Sequence, residues 1–135
     1  MGDDLYAEVG EVKEGILMVR FTGVASTDEN FENYLREVTD RYRDAGTIAV
    51  LFDAASASLP HYRHVMMQAD WLESHLEMMK SQCAGTAYVI PNGMVRGVLN
   101  MIFTLQRQPV PYEVFSNTAA AEEWLLEKLS EREGA

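Results

Sequence analysis

Short apolar runs that alternate with longer amphipathic segments are the feature that most constrains the fold of this chain. Residues 47–52 and 86–90 are nearly continuous apolar runs of strand length, the pattern of a β-strand that is covered on both faces. The segments between such runs carry apolar residues at helical spacing, and a helix that joins two strands of one sheet makes those strands parallel. The alternation therefore predicts an α/β domain with a mostly parallel sheet.

The N-terminal part adds an antiparallel hairpin to this plan. Residues 6–12 form a weak first strand, and residues 16–22 form a strong second one because β-branched and aromatic residues dominate it. Only a short turn at Glu14-Gly15 separates them, as in a hairpin. Helices are predicted over residues 26–46, 58–82, 94–106 and 118–129, with a last strand at 112–115. We therefore predict a single domain over residues 1–135 with about five strands and four helices, a core from about 5 to 129, and a frayed tail from 130.

Local signals mark the ends of these helices. Ser26 and Glu29 have the spacing of a capping box, in which each side chain satisfies a free backbone N–H at the start of a helix. Gly46 is predicted to end the first helix in a conformation of positive φ. Ser58 and Pro60 open the second helix, and Asn117 or Thr118 caps the last one.

Charge and composition exclude several classes of partner. The formal net charge is -10 and no basic run occurs, which argues against nucleic acid and against an anionic membrane surface. No apolar run reaches the roughly 20 residues of a membrane span. Cys83 is the single cysteine, so no intrachain disulfide can form, and the N-terminus lacks the bases and apolar stretch of a signal peptide. These features predict a complete, cytoplasmic protein.

The predicted second helix carries two apolar stripes, whereas a helix that covers one sheet face needs only one. The first stripe, taken as the core face, is Tyr62, Val65, Ala69, Leu72, Leu76 and Met79. The second lies one residue behind it and contains all three histidines: His61, His64, Gln68, Trp71, His75 and Met78.

Three interpretations of the second stripe are open. It packs against another helix of the same chain, it forms a homodimer surface, for which Met and Trp are well suited, or it holds a metal. The metal is the weakest of the three because His75 lies roughly 16 Å along the helix from His64 and still further from His61, so we predict no metal site and no cofactor. The predicted interface residues are His64, Met67, Trp71, His75, Met78 and Met101.

Polar residues follow the predicted parallel strands, where ligands of open α/β sheets usually bind. The predicted ligand-binding residues are Asp53, Ser56, Ser58, His61, Asn92 and Arg96. The alternative is that Ser58, Asn92 and Asn117 only cap helices. The third helix is apolar almost all round, so its surface either packs in the core and an interface or lines an apolar pocket.

The chain resembles the STAS superfamily of anti-sigma-factor antagonists, in the branch related to the CRAL-TRIO lipid-binding fold. The resemblance covers about residues 12–129 and is carried by residues 15–23, 51–54, 89–92, 96–99 and 120–125. It implies a STAS-like regulatory domain of bacterial type. The phosphorylated serine motif of the antagonists has no counterpart, since the matching stretch is Ser56-Ala57-Ser58-Leu59-Pro60-His61.

Two functional hypotheses follow. The first is a non-catalytic regulatory or binding module that acts as a homodimer or through another regulatory protein. The second is a binder, carrier or enzyme for a small apolar or anionic molecule at the carboxyl ends of the strands. The first is preferred because the chain has no Gly-rich phosphate loop, Cys-x-x-Cys pair or Gly-x-Ser-x-Gly elbow.

Overall fold

The structure, a computed structural model, describes residues 5–13, 15–91 and 93–133 of the chain. Within these residues the strands are β1 (Ala7–Lys13), β2 (Ile16–Phe21), β3 (Ile48–Asp53), β4 (Cys83–Val89) and β5 (Tyr112–Phe115). The helices are α1 (Asp28–Asp44), α2 (Tyr62–Ser74), α3 (Leu76–Gln82), α4 (Gly93–Leu105) and α5 (Thr118–Glu133).

The five strands form one sheet in which each strand lies beside its successor, in the order β1-β2-β3-β4-β5. β1 and β2 pair antiparallel, and the three later pairs are parallel. The predicted α/β domain with an antiparallel N-terminal strand is therefore confirmed. The turn between the first two strands uses Gly15 at a φ of +86°, while Glu14 lies outside the described residues.

Helices cover both faces of the sheet. Leu17, Val19 and Val50 lie in the cluster that α1, α2, α3 and α4 build on one face. The neighbouring positions Ala49 and Leu51 point to the other face, where α5 packs on them. β4 is buried along its whole length. This two-sided burial explains why the central strands are apolar at successive positions rather than at alternate ones.

The second helix is divided in two, which corrects the prediction of one helix over residues 58–82. His75 separates α2 from α3 at φ -122° and ψ 20°. In a continuing helix the His75 backbone N–H would bond to the Trp71 carbonyl. Here that N–H bonds to the Leu72 carbonyl instead, and the His75 ring Nδ1 lies 2.7 Å from the Trp71 carbonyl. Tyr62 is 64% exposed rather than in the core, because α2 begins only at this residue.

The ends of several helices also differ from the predictions. Thr27, not Ser26, is the N-cap of α1, and it forms a capping box with Asn30 because each side chain accepts the other's backbone N–H. Gly46 has no positive φ, since α1 ends at Ala45 in an extended conformation. Ser58 does not cap α2. The cap predicted at Asn117 is confirmed, because its Oδ1 accepts the Ala120 N–H.

Residues 130–133, predicted as part of a frayed tail, continue α5. The Arg132 guanidinium donates hydrogen bonds to the carbonyls of Lys80, Ser81 and Cys83, where α3 passes into β4. Carbonyls at the C-terminus of a helix have no partner within the helix. Arg132 therefore joins the last turn of α5 to the end of α3.

A close approach of two loops requires a glycine at position 23. Gly23 has a φ of +92°, and a Cβ atom there would lie 2.8 Å from the Ser56 carbonyl oxygen. The loop after β2 therefore packs directly against the loop after β3. In the part of the chain that the structure describes, no helix is long and apolar enough to cross a membrane.

Candidate functional site

An apolar cavity of about 100 Å³ lies between the sheet and the helices on its first face. Its floor is formed by side chains of β2, β3 and β4, namely Phe21, Phe52, Thr86 and Tyr88. Most of its wall comes from three helices: α1 with Phe31, Tyr34, Val38 and Tyr42, α2 with Val65, Gln68, Trp71 and Leu72, and α4 with Val95, Val98, Leu99, Ile102 and Phe103.

Aromatic rings supply much of this lining, and they contact one another across element boundaries. Phe52 stacks on Tyr88 with 5.1 Å between ring centroids and on Phe21 with 6.2 Å. Phe21 in turn meets Tyr34 edge to face at 5.6 Å. Such pairs are rigid and hold the cavity wall in place from the sheet side. Met79 and Leu99 also line the cavity, and these flexible side chains can adjust to its contents.

The polar atoms in the cavity wall are neutral. The Tyr34 hydroxyl donates to Gln68 Oε1 at 2.8 Å. Burial holds the pKa of Tyr34 and of Tyr88 well above the ordinary tyrosine value, so both hydroxyls keep their protons. No charged side chain is among the described residues that line the cavity.

Gln108 contributes the one buried side-chain atom without a hydrogen-bond partner among the described residues. Its Nε2 donates to the Tyr88 hydroxyl at 2.7 Å and to Thr86 Oγ1 at 3.3 Å. Its Oε1 has no partner, although the residue is only 8% exposed. Buried carbonyl oxygens are nearly always hydrogen-bonded in folded proteins, so this atom needs an explanation. Gln108 carries no signal in the sequence, because it lies in a loop with Pro109 and Pro111 and without periodicity.

The structure brings one of the six predicted ligand-binding residues to the cavity. Ser58 lines the cavity, and its hydroxyl donates to the Val24 carbonyl at 3.1 Å. Asp53, Ser56, His61 and Arg96 do not line it. Asp53 accepts the Ala55 N–H, and Arg96 donates to the Ile90 carbonyl. Ser56 and His61 are exposed, and Asn92 lies outside the described residues.

The second stripe of α2 packs against α1 of the same chain, which is the first of the three interpretations given above. Trp71 Nε1 donates to Thr39 Oγ1 at 2.9 Å, and the ring lies 6.3 Å from that of Tyr42. His75 stacks on Trp71 with 4.5 Å between centroids. His64 is 3% exposed, while Met67 and Met78 are half-buried and pack on the same core. Of the predicted interface residues, Met101 is the one that remains largely exposed, at 44%.

Ser26, His64 and Asp28 form a hydrogen-bonded chain that joins the start of α1 to α2. His64 Nδ1 lies 2.7 Å from Ser26 Oγ, and His64 Nε2 lies 2.9 Å from Asp28 Oδ1. A neutral imidazole with its proton on Nε2 satisfies both contacts. The hydrogen bond between His64 and Asp28 lowers the pKa of Asp28, and the charge of Arg63 adds to the effect. The His64 ring also stacks on Phe31 at 5.3 Å.

The order of these groups is that of a serine-hydrolase triad, but their burial is the reverse. In a triad the serine faces the substrate and the carboxylate is buried. Here Ser26 is 4% exposed, while the side chain of Asp28 is 53% exposed. Ser26 Oγ also accepts the His61 backbone N–H at 3.2 Å. The three side chains therefore act as a clamp between two helices, and the cavity does not reach them.

Metal and thiol chemistry find no support in the described parts of the chain. There, no three His, Cys, Asp or Glu side chains are grouped closely enough to hold a metal ion. Cys83 is fully buried, and burial raises the pKa of its thiol. A protonated, inaccessible thiol is a poor nucleophile.

No protein-family model matches this chain, and no curated protein matches it in sequence. The resemblance to the STAS superfamily therefore stays a prediction that rests on the residues quoted above.

Proposed function

We propose that this chain is a non-catalytic binding module that holds a small, neutral, apolar molecule between its sheet and helices α1, α2 and α4. The observation that carries the proposal is the apolar cavity, whose described lining contains no charged side chain. A charged ligand would lose its hydration there without gaining a partner of opposite charge. Of the apolar and anionic ligands predicted from the sequence, the cavity favours the apolar one.

The lining also favours binding over catalysis. General acid–base and nucleophilic catalysis depend on titratable or activated side chains within reach of the substrate. The described cavity-lining residues include no His, Asp, Glu, Lys or Cys. Ser58 is the serine that faces the cavity, and its hydroxyl already bonds to a backbone carbonyl. These side chains are suited to hold a molecule and not to transform it.

The size of the cavity limits the ligand to about one ring or a short branched chain. An apolar cavity of about 150 Å³ accepts benzene, and this cavity measures about 100 Å³. A single ring would fit with small movements of flexible side chains such as Met79 and Leu99. Toluene is therefore a suitable first probe.

The proposal is tested by filling the cavity with a side chain. Val98→Phe places a ring where Val98 lines the cavity, whereas Leu126→Phe places a ring on the outer side of α5, where Leu126 is 42% exposed. Toluene at about 100 times its Kd should stabilise the wild type by about 2.7 kcal/mol in thermal unfolding. We expect the same shift for Leu126→Phe and none for Val98→Phe. Equal shifts in both variants, or no shift in the wild type, would contradict the proposal.

Self-association through α4 is a second candidate function, and it keeps the homodimer predicted from the sequence. Met101 and Leu105 are 44% and 43% exposed and lie one turn apart on the same side of α4. Exposed apolar side chains at this spacing suit a helix–helix contact between two copies. Light scattering after size exclusion should give twice the protomer mass for the wild type and the protomer mass for Met101→Glu. A wild-type protomer mass at high micromolar concentration would exclude this candidate.

A further inference from the structure

The side chain of Gln108 enters the polar end of the cavity from the loop between α4 and β5. Gln108 is buried, and its amide nitrogen is held by two hydroxyl groups of β4, those of Tyr88 at 2.7 Å and Thr86 at 3.3 Å. Its amide oxygen Oε1 has no partner in the parts of the chain that the structure describes. An amide oxygen with two free lone pairs is therefore buried in the wall of an apolar cavity.

We infer that Gln108 is the specificity residue of the cavity, and that the ligand carries one hydrogen-bond donor, a hydroxyl or an N–H group, that binds Gln108 Oε1. The inference rests on the proposed function, since it names the ligand class for the same cavity. A buried acceptor without a partner is costly, and a donor on the ligand removes that cost. A site with such a group discriminates strongly against analogues that lack the matching atom.

The surroundings of Gln108 narrow the ligand class further. The Tyr88 and Thr86 hydroxyls hold the amide nitrogen, so the oxygen is the atom left for the ligand. A carboxylate ligand would bring its negative charge against this oxygen, and the described lining offers no cation to offset it. The ligand class is therefore a small neutral alcohol, phenol or amide with an apolar body.

The test uses phenol and toluene, which have nearly the same shape and differ in a hydroxyl against a methyl group. Their Kd values are measured by calorimetry or by NMR titration for the wild type and for Gln108→Met, which keeps the side-chain length and removes the amide. Gln106→Met is the matched control, because Gln106 lies in the same part of the chain and does not line the cavity. Comparing the ratio of the two Kd values between the proteins cancels the different hydration of the two probes, because that difference is the same for every protein.

The expected result is a change of about tenfold or more in this ratio, in favour of toluene, for Gln108→Met and no change for Gln106→Met. A second measurement needs no variant: phenol should shift the side-chain amide resonances of Gln108 in a ¹H–¹⁵N spectrum of the wild type by more than toluene does, because only phenol adds a hydrogen bond to the ring-current effect that both probes have.

Three results would overturn the inference. If toluene binds and the ratio is the same in all three proteins, the cavity is a binding site but Gln108 does not select the ligand. If pyridine, which only accepts hydrogen bonds, binds the wild type better than phenol, the amide nitrogen faces the ligand and the donor assignment is wrong. If none of the three probes binds the wild type, the proposed function fails and the inference fails with it.

Discussion

Replacing Arg132 by Met should destabilise the protein, even though Arg132 lies in the segment whose sequence predicts a frayed tail. The Arg132 guanidinium donates at 2.7 Å to the Cys83 carbonyl, at 2.8 Å to that of Lys80 and at 2.7 Å to that of Ser81. These contacts join the end of α5 to the end of α3. Met keeps most of the aliphatic stem and removes all three bonds, so the change isolates the hydrogen bonding.

The expected magnitude follows from how well water reaches each bond. The bond to Cys83 is part-buried and charge-assisted, so it contributes about 1.5 kcal/mol. The two bonds to exposed carbonyls contribute only about 0.3 kcal/mol each, because water and salt compete with them. The free energy of unfolding should therefore fall by about 2 kcal/mol. With an unfolding entropy of about 0.3 kcal/mol/K for a domain of this size, Tm should fall by about 7 °C.

The assay is thermal and urea unfolding followed by circular dichroism. Arg43→Met is the control, because the side chain of Arg43 is 71% exposed and its ion pair with Asp40 spans 3.8 Å. The control should change stability by less than about 0.5 kcal/mol. Ending the chain after Leu129 should cost at least as much as Arg132→Met. A Tm within about 1 °C of the wild type for Arg132→Met would refute the reasoning and would support the frayed tail.

Three further predictions follow from the loops, the thiol and the helix clamp. Gly23→Ala should lower the free energy of unfolding by about 1–3 kcal/mol, because a Cβ atom at a φ of +92° would meet a backbone oxygen at 2.8 Å. Gly46→Ala should be neutral or stabilising, since nothing lies within 4 Å of the new Cβ. Equal losses of stability for the two variants in urea unfolding would contradict this. Cys83 is fully buried and burial raises the pKa of its thiol, so it should react with a thiol reagent only as fast as the protein unfolds. Rapid reaction of the native protein would contradict its burial. The pKa of Asp28 is lower in the folded than in the unfolded state, so its contribution to stability is present above the unfolded pKa and is lost as the pH falls through the folded pKa. The difference in stability between the wild type and Asp28→Asn should therefore shrink from pH 6 towards about pH 3, and a constant difference would argue against the hydrogen bond from His64.

The sequence predicts the sheet well because burial on two faces leaves a local signature. The apolar runs at residues 47–52 and 86–90 overlap β3 and β4, since every position of a doubly covered strand contacts a helix. The helix ends are less predictable, because several side chains compete for the same backbone groups. Ser26 has the right spacing for a cap, yet its hydroxyl is engaged by His64, and the cap passes to Thr27.

The candidate site is largely invisible in the sequence because it is built from contacts between distant residues. Gln108 is 20 residues from Tyr88 and 22 from Thr86 along the chain, and no periodic pattern links them. The position of polar residues after parallel strands predicts ligand binding. In the structure, the side chains of Asp53, Ser58 and Arg96 bond to backbone groups instead. The sequence leaves two roles open for α4, packing in the core and an interface or lining an apolar pocket. In the structure α4 forms part of the cavity wall, and Met101 lies on the surface.

The arrangement of the layers has a consequence for how the protein is made. Among the described residues, four helices share one face of the sheet, and α5 covers the other, where Ala121 and Leu125 pack on Ala49 and Leu51. A nascent chain that has emerged only as far as β5 exposes that whole apolar face. Folding is therefore completed only after α5 has left the ribosome, and products of early termination should be bound by chaperones or degraded.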